Sequence, residues 1–276
     1  MTIATLSAVL RPALADGYAV AGLVCLGWED ARAYVRAAEA EGAPVILQTG
    51  PACRAHTPLP VLGPMLRHLA ETSDVPTVVH LDHGDSADIC AAAIDVGFTS
   101  VMFDGSRLSD DRNIEETASI VELAHAAGVS CEGEIGFVGY AEGEASAGTD
   151  PQAAARFTQE TGVDAVAVSV GNVHLQKQAG DGVDEARIAA IQAMTDTPLV
   201  IHGGSGVPSG QRQRLARETS VCKFNIGTEL RMAFGEAIRG AVSDEAVFDR
   251  IEILKATEAP LEAAARQVMR AIAAPR

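Results

Sequence analysis

Three histidines follow short apolar runs of this chain. His83 lies near the end of PTVVHLDHG (76–84), His174 comes three residues after VDAVAVSVG (163–171), and His202 follows the apolar part of TPLVIHGGSG (197–206). Neutral imidazoles ligate divalent metals, and three with an open fourth position are a catalytic zinc arrangement. The three are far apart in sequence and there is no CxxC pair, which excludes a zinc finger. One such histidine reads more simply as an isolated polar residue at a strand end; three at matching positions read as a site. Carboxylates hold the same kind of position: Asp82 beside His83, Asp104 after TSVMF, and Glu132 and Glu134, two apart and so on one face of a strand. Two turns, in HGGSGVP (202–208) and NIGTELRMAF (225–234), offer backbone N–H groups of the kind that bind phosphate, with Thr228 placed to cap the next helix.

These residues meet only if the fold gathers the ends of the runs. Eight short apolar, β-branched runs punctuate the chain, at 19–27, 44–50, 76–84, 99–106, 128–136, 163–171, 197–206 and 220–227. Between them lie segments such as WEDARAYVRAAEAEG and NIEETASIVELAHAAG, apolar at three- and four-residue spacing and ending in Gly, a usual helix stop. Strand then helix, eight times over, predicts an α/β fold, a (β/α)8 TIM barrel forming a single domain over residues 1–276. A doubly wound open sheet is the alternative, but its dinucleotide-type glycine fingerprint is absent. In a barrel the C-terminal strand ends share one mouth. There a metal beside a phosphate cradle points to a sugar phosphate. The metal polarises a carbonyl, Asp82 moves a proton on a hydroxyl, and a carboxylate from the loop after the fifth strand moves one on carbon. That loop, FVGYAEGEASAGTDP (137–151), has no periodicity and reads equally as a lid or as a floppy surface loop. His80, deeper in its strand, reads as a hydrogen-bonded core residue; His56, His68 and His125 read as solvated.

The bulk properties agree. The net charge of −16 argues against nucleic acid and anionic membrane as partners, and an anionic substrate needs a local site to attract it. No apolar run is long enough to span a membrane, and the N-terminal segment reads as a short amphipathic helix, not a signal peptide. Five scattered cysteines suggest a reducing, cytoplasmic setting.

The segments HLDHG, FTSVMFDGSRLSDDRNIEET, AHAAGVSCEGEIG, TGVDAVAVSVGNVH, PLVIHGGSGVP and CKFNIGTELRMAF resemble the class II ketose-bisphosphate aldolases, in their tagatose- and fructose-bisphosphate branches, over nearly the whole chain. The resemblance implies a lyase that reversibly splits a ketose phosphate or bisphosphate into dihydroxyacetone phosphate and an aldehyde through a zinc-stabilised enediolate. It implies His83, His174 and His202 as ligands of zinc or another divalent cation, and Asp82 as the acid/base at the cleaved bond. It implies Glu142 as the group exchanging the proton on the dihydroxyacetone-phosphate carbon and Asn225 as a donor to the enediolate. Gly203, Ser205, Gly227 and Thr228 become the phosphate cradle, Asp104 and Glu134 an outer-shell or secondary metal position. A monovalent cation near the phosphate and a homodimer or homotetramer are also implied.

The chain departs from the family at several points. The family's His-Gly is His174-Leu175, and its Gly-Gly-x-Glu-Asp is Gly139-Tyr140-Ala141-Glu142-Gly143. Its Phe-Asn near the end of the first barrel strand is Leu23-Val24, and its Ser or Thr for the far phosphate has no clear match in Gln48-Thr49-Gly50-Pro51. These changes cluster on the aldehyde half, implying an aldehyde other than glyceraldehyde 3-phosphate. Arg54, Arg107 and Arg231 are candidates for a second phosphate. Competing readings are another divalent-metal lyase or isomerase on the same scaffold, and a non-catalytic aldolase-like subunit. A Schiff-base enzyme needs a desolvated strand lysine; only Lys223 lies in a strand, and ion pairing is its ordinary role.

Overall fold

Eight parallel strands close on themselves in the computed structural model of the chain, which describes residues 2–178 and 180–273. After β1 (Ile3–Ala4) and α1 (Leu6–Asp16) come β2 (Val20–Val24), α2 (Trp28–Glu41), β3 (Val45–Thr49), α3 (Pro51–His56), α4 (Leu59–Thr72), β4 (Thr77–Gly84), α5 (Ala87–Asp95), β5 (Ser100–Phe103) and α6 (Asp110–Ala126). The second half runs β6 (Ser130–Ile135), α7 (Pro151–Thr161), β7 (Ala165–Val168), α8 (Glu185–Gln192), β8 (Leu199–Ile201), a 3-10 turn (Gly204–Gly206), α9 (Ser209–Glu218), β9 (Val221–Ile226), α10 (Thr228–Ala241), α11 (Arg250–Lys255) and α12 (Glu258–Ile272). The strand order β4-β3-β2-β9-β8-β7-β6-β5, with β4 also paired to β5, makes β2 to β9 a barrel. All eight predicted runs are strands. The two-residue β1, too short to carry a pattern, adds to β4 with Ile3 opposite Thr77.

The strands are apolar almost throughout because both faces are covered. Outward residues such as Leu47, Val79, Val101 and Phe224 pack against the surrounding helices. Inward residues Val20, Ile46, Val78, Ala165 and Val200 meet α1, whose Leu6, Val9, Leu10 and Ala13 plug the N-terminal end. Burying each large aliphatic of that plug contributes about 1.5–3 kcal/mol. The N-terminal amphipathic helix is therefore a barrel stopper. Helices end at left-handed glycines as the sequence suggested, for example Gly42 after α2 and Gly162 after α7.

Segment 137–151 is no floppy loop. Phe137 and Ala147 form an antiparallel bridge, closing a hairpin-like excursion. Its tip is tied to the barrel through the backbone of His174, which donates to Gly139 O (2.8 Å) and accepts from Ala141 N (3.0 Å). An element that sequence periodicity could not define is thus fixed by long-range pairing to a predicted site residue.

Candidate metal centre and active site

The three histidines do converge: one ring nitrogen of each of His83, His174 and His202 lies within 4.8 Å of the others. His83 sits at the end of β4 with φ of 49°, a left-handed conformation that a non-glycine residue adopts only when its surroundings impose it. Arg54 of α3 does so. Its guanidinium donates to the carbonyls of Thr49 (3.1 Å), Asp82 (2.6 Å) and His83 (2.9 Å). Fully buried His202 follows β8, and Asn172 anchors it by donating Nδ2–H to its carbonyl at 2.9 Å.

Carboxylates fix the protons of the rings. His83 Nδ1 lies 2.7 Å from Asp104 Oδ2, and His202 Nε2 lies 3.1 Å from Glu132 Oε1. A carboxylate only accepts, so each ring carries its proton on that nitrogen. The remaining nitrogens, His83 Nε2 and His202 Nδ1, face each other 3.1 Å apart. Buried Glu134 Oε2, without a hydrogen-bond partner, lies 3.6 Å from His202 Nδ1. Two imidazole nitrogens turned on each other beside an orphaned carboxyl oxygen are a donor set that a divalent cation satisfies in place of protons, so these residues fit a metal.

Without a metal, a proton on His83 Nε2 takes the cation's place between the two rings. Burial opposes charge on His83, but Asp82, Asp104 and Glu134 outweigh it and raise its pKa to about 10. Burial, then the charge of His83, lowers His174 to about 4 and holds His202 well below the usual histidine range. Burial, then Asp104, pushes Glu134 up to about 8. Burial would raise Asp104 too, yet the hydrogen bond from His83 drives it well down. Asp104 also accepts from Ser106 Oγ at 2.6 Å, so it braces His83 from outside the ring of histidines.

A cavity of about 270 Å³ opens at these strand ends, lined by Asp82, His83, His174, Ser205, Gly227 and Arg231 among others. Gly203 (φ 62°) must be glycine: a Cβ there would stand 2.3 Å from Val173 O. The 3-10 turn after it brings Ser205 Oγ to the start of α10, where it accepts from Gly227 N (3.3 Å) and Glu229 N (3.4 Å). The expectation that Thr228 caps this helix is corrected. Gly227 is the cap position, without a side-chain bond, and Thr228 is the first helical residue. The cap oxygen comes from the neighbouring loop because Ser205 reaches those N–H groups across the strand ends.

Asp82 and Asn225 meet at the cavity floor, and Glu142 does not reach it. Glu142 is exposed and absent from the cavity lining, although Tyr140, two residues before it, stacks on His174 at 5.0 Å between ring centroids. Of the three arginines, Arg54 is engaged by backbone carbonyls and Arg107 pairs with Glu144 (2.9 Å) over the Phe137 ring; Arg231 lines the cavity. His80 is the buried, bonded residue expected, 2.8 Å from Ser100 Oγ. His125 is exposed, as expected, and also pairs with Asp164 at 2.9 Å. Sequence reasoning missed the supporting roles of Arg54, Asn172, Glu132 and Lys223. Only the pairing of Glu132 with Glu134 on one strand face was a usable signal.

Fold and site together define a class: a (β/α)8-barrel enzyme with metal-dependent chemistry. The family model "Fructose-bisphosphate aldolase class-II" matches residues 4–275. The fructose-bisphosphate aldolase of Geobacillus stearothermophilus is 37% identical over 262 residues, covering 92% of this chain and 91% of the relative. The 6-phospho-5-dehydro-2-deoxy-D-gluconate aldolase of Shouchella clausii is 37% identical over 253 residues, covering 89% and 85%. Among solved structures, the YdjI aldolase of Escherichia coli K12 superposes with a TM-score of 0.86 at 25% identity, over 99% of this chain and 98% of that one. The chain belongs to the class II fructose-bisphosphate aldolase family. It is a metal-dependent aldolase, a carbon–carbon lyase whose substrate is a phosphorylated sugar.

Proposed function

We propose that this aldolase reversibly cleaves a ketose phosphate or bisphosphate to dihydroxyacetone phosphate and an aldehyde. The observation that carries this reading is the pair of facing ring nitrogens, His83 Nε2 and His202 Nδ1, 3.1 Å apart at the cavity that Asp82 and Ser205 line. His83, His174 and His202 would hold a zinc ion, with Glu134 Oε2 within reach. When bound, that ion supplies the positive charge that polarises the ketose carbonyl and stabilises the enediolate.

The chain's own groups do the rest. Gly203, Ser205, Gly227 and Thr228 receive the phosphate, which would take the Gly227 and Glu229 N–H groups at the start of α10 over from the Ser205 hydroxyl. Asp82 takes the proton of the hydroxyl at the bond to be cleaved. The carbon–carbon bond breaks, the aldehyde forms, and the electron pair stays on the three-carbon fragment, to which Asn225 offers its amide. Glu142 then delivers a proton to that carbon, which requires its exposed side chain to turn inward about the tip that Ala141 N–H anchors on His174 O. Glu134 and Asp104 brace the ligands and form, with His83, a second group able to hold a cation.

The aldehyde half faces the apolar Val24, Leu26 and Leu175. An aldehyde other than glyceraldehyde 3-phosphate suits that lining. A homodimer or homotetramer is part of this proposal, and the exposed Phe248 and Ile251 suit one. A cytoplasmic setting suits the described residues, in which no helix is long and apolar enough to cross a membrane. The test is cleavage of fructose and tagatose 1,6-bisphosphates with coupled detection of dihydroxyacetone phosphate, before and after chelation and zinc addition. Chelator-sensitive release of dihydroxyacetone phosphate is expected. Its absence from zinc-loaded enzyme across a panel of ketose phosphates would overturn the reading, and full activity on either bisphosphate would overturn the altered aldehyde.

A further inference from the structure

Beneath the histidines lies a buried polar chain that the proposed chemistry does not use. Lys223 Nζ lies 2.6 Å from Glu132 Oε2 and 3.2 Å from His80 Nε2, and His80 Nδ1 lies 2.8 Å from Ser100 Oγ. The side chains of Lys223, Glu132 and His80 are fully buried. An ammonium only donates, so it fixes His80 as the Nδ1–H form and claims one oxygen of Glu132. The other oxygen is left for His202 Nε2 at 3.1 Å.

We infer that Lys223 and Glu132 are positioning residues that lock His202 in the Nε2–H tautomer, so that Nδ1 is kept as a metal-facing lone pair. The inference rests on the reading of His202 as a metal ligand. A buried ion pair is a poor device for stability, since apolar replacement of both partners is often neutral or better. Its position directly behind a ligand gives it another use: a second-shell carboxylate sets the tautomer, orientation and basicity of an imidazole. Lys223 holds Glu132 in turn, preventing its second oxygen from competing for His202. The same placement removes Lys223 from Schiff-base chemistry, because it is ion-paired and does not line the cavity.

The isosteric Glu132→Gln separates the outcomes. With one amide position claimed by Lys223 as acceptor, the NH2 group faces His202 and the ring must move its proton to Nδ1. Selective 15N-histidine NMR of the metal-free protein is expected to show His202 as Nε2–H in the wild type and as Nδ1–H or a mixture in the variant. Zinc affinity, read by chelator competition, is expected to fall about 10- to 100-fold. The apolar double variant Glu132→Leu/Lys223→Met, which leaves His202 Nε2 and His80 Nε2 without these partners, is expected to fold with a lowered Tm and to show the same affinity loss. Wild-type zinc affinity in either folded variant, or an unchanged His202 tautomer in Glu132→Gln, would overturn the lock. Failure of both variants to fold would assign the pair to the fold instead and overturn it equally. A wild-type protein that binds no zinc would sink the ligand reading itself, a separable result.

Discussion

Asn225 and Asp82, 143 residues apart in the chain, are joined by a 3.1 Å hydrogen bond in which Asn225 Nδ2–H donates to Asp82 Oδ1. Gln48 Nε2 donates to Oδ2 of the same carboxylate at 3.3 Å. Two amides from β9 and β3 thus orient Asp82 from below, leaving its other lone pairs to the cavity. A carboxylate so held is pre-positioned to take a hydroxyl proton. Asp82→Asn keeps the shape and removes the base. The expected result is a kcat lower by about 10²–10⁴-fold, with zinc content and Tm near those of the wild type. Steady-state kinetics with metal analysis checks it; unchanged kcat would remove Asp82 from proton transfer.

Leu175 follows a proposed ligand with φ of 60° and is 49% exposed, on the cavity wall. A leucine there carries about 1 kcal/mol of backbone strain that glycine would not. Leu175→Gly is expected to raise or preserve stability while shifting substrate preference toward larger or more polar aldehydes, read as KM ratios across an aldehyde panel. An unchanged panel would show that Leu175 does not set the aldehyde pocket.

Asp30 of α2 accepts from Leu26 N (2.5 Å) and Gly27 N (2.9 Å), so it holds the turn on which Leu26 meets the cavity. Burial, only partly countered by these backbone bonds, raises its pKa to about 6. The folded chain then keeps a proton that the unfolded chain releases. The Asp30 contribution is full below the unfolded value near pH 4 and is lost as pH rises through 6. The whole effect is about 3 kcal/mol, of which about 1 kcal/mol falls between pH 5 and 7. Denaturant unfolding of wild type and Asp30→Asn should differ by that slope; parallel pH profiles would contradict it.

How much of this was legible in the sequence follows from the range of each interaction. The barrel was legible because period and run length are local properties, and all eight strands lie where the apolar runs are. The histidines were legible because a barrel places every strand end at one mouth. The supporting shell was not. Arg54 looks like a surface helix residue until its fork is seen on three carbonyls of β3 and β4. Lys223 and Glu132 share no pattern across the 91 residues that separate them. Ser205 replaced Thr228 as the cap partner of α10 because the N–H groups there lie nearer to the neighbouring loop than to their own side chain.

The opposition of His83 Nε2 and His202 Nδ1 also makes a prediction about metal removal. Without a cation, a proton on His83 Nε2, favoured by Asp82, Asp104 and Glu134, takes its place between the two nitrogens, and zinc must displace it. The apolar core around α1 and between barrel and helices does not depend on that site, so the metal-free chain stays folded. Binding to the folded state alone stabilises it by mass action, about 4 kcal/mol when free zinc is a thousand times Kd. At about 2–4 °C per kcal/mol, zinc should raise Tm by roughly 8–16 °C over chelator-treated protein, with unchanged far-UV circular dichroism at 25 °C. Calorimetry with and without zinc checks it, using His202→Ala as control. A Tm that does not respond to zinc would mean that these histidines do not hold the ion, whereas a metal-free protein without secondary structure would mean that the ion holds the fold.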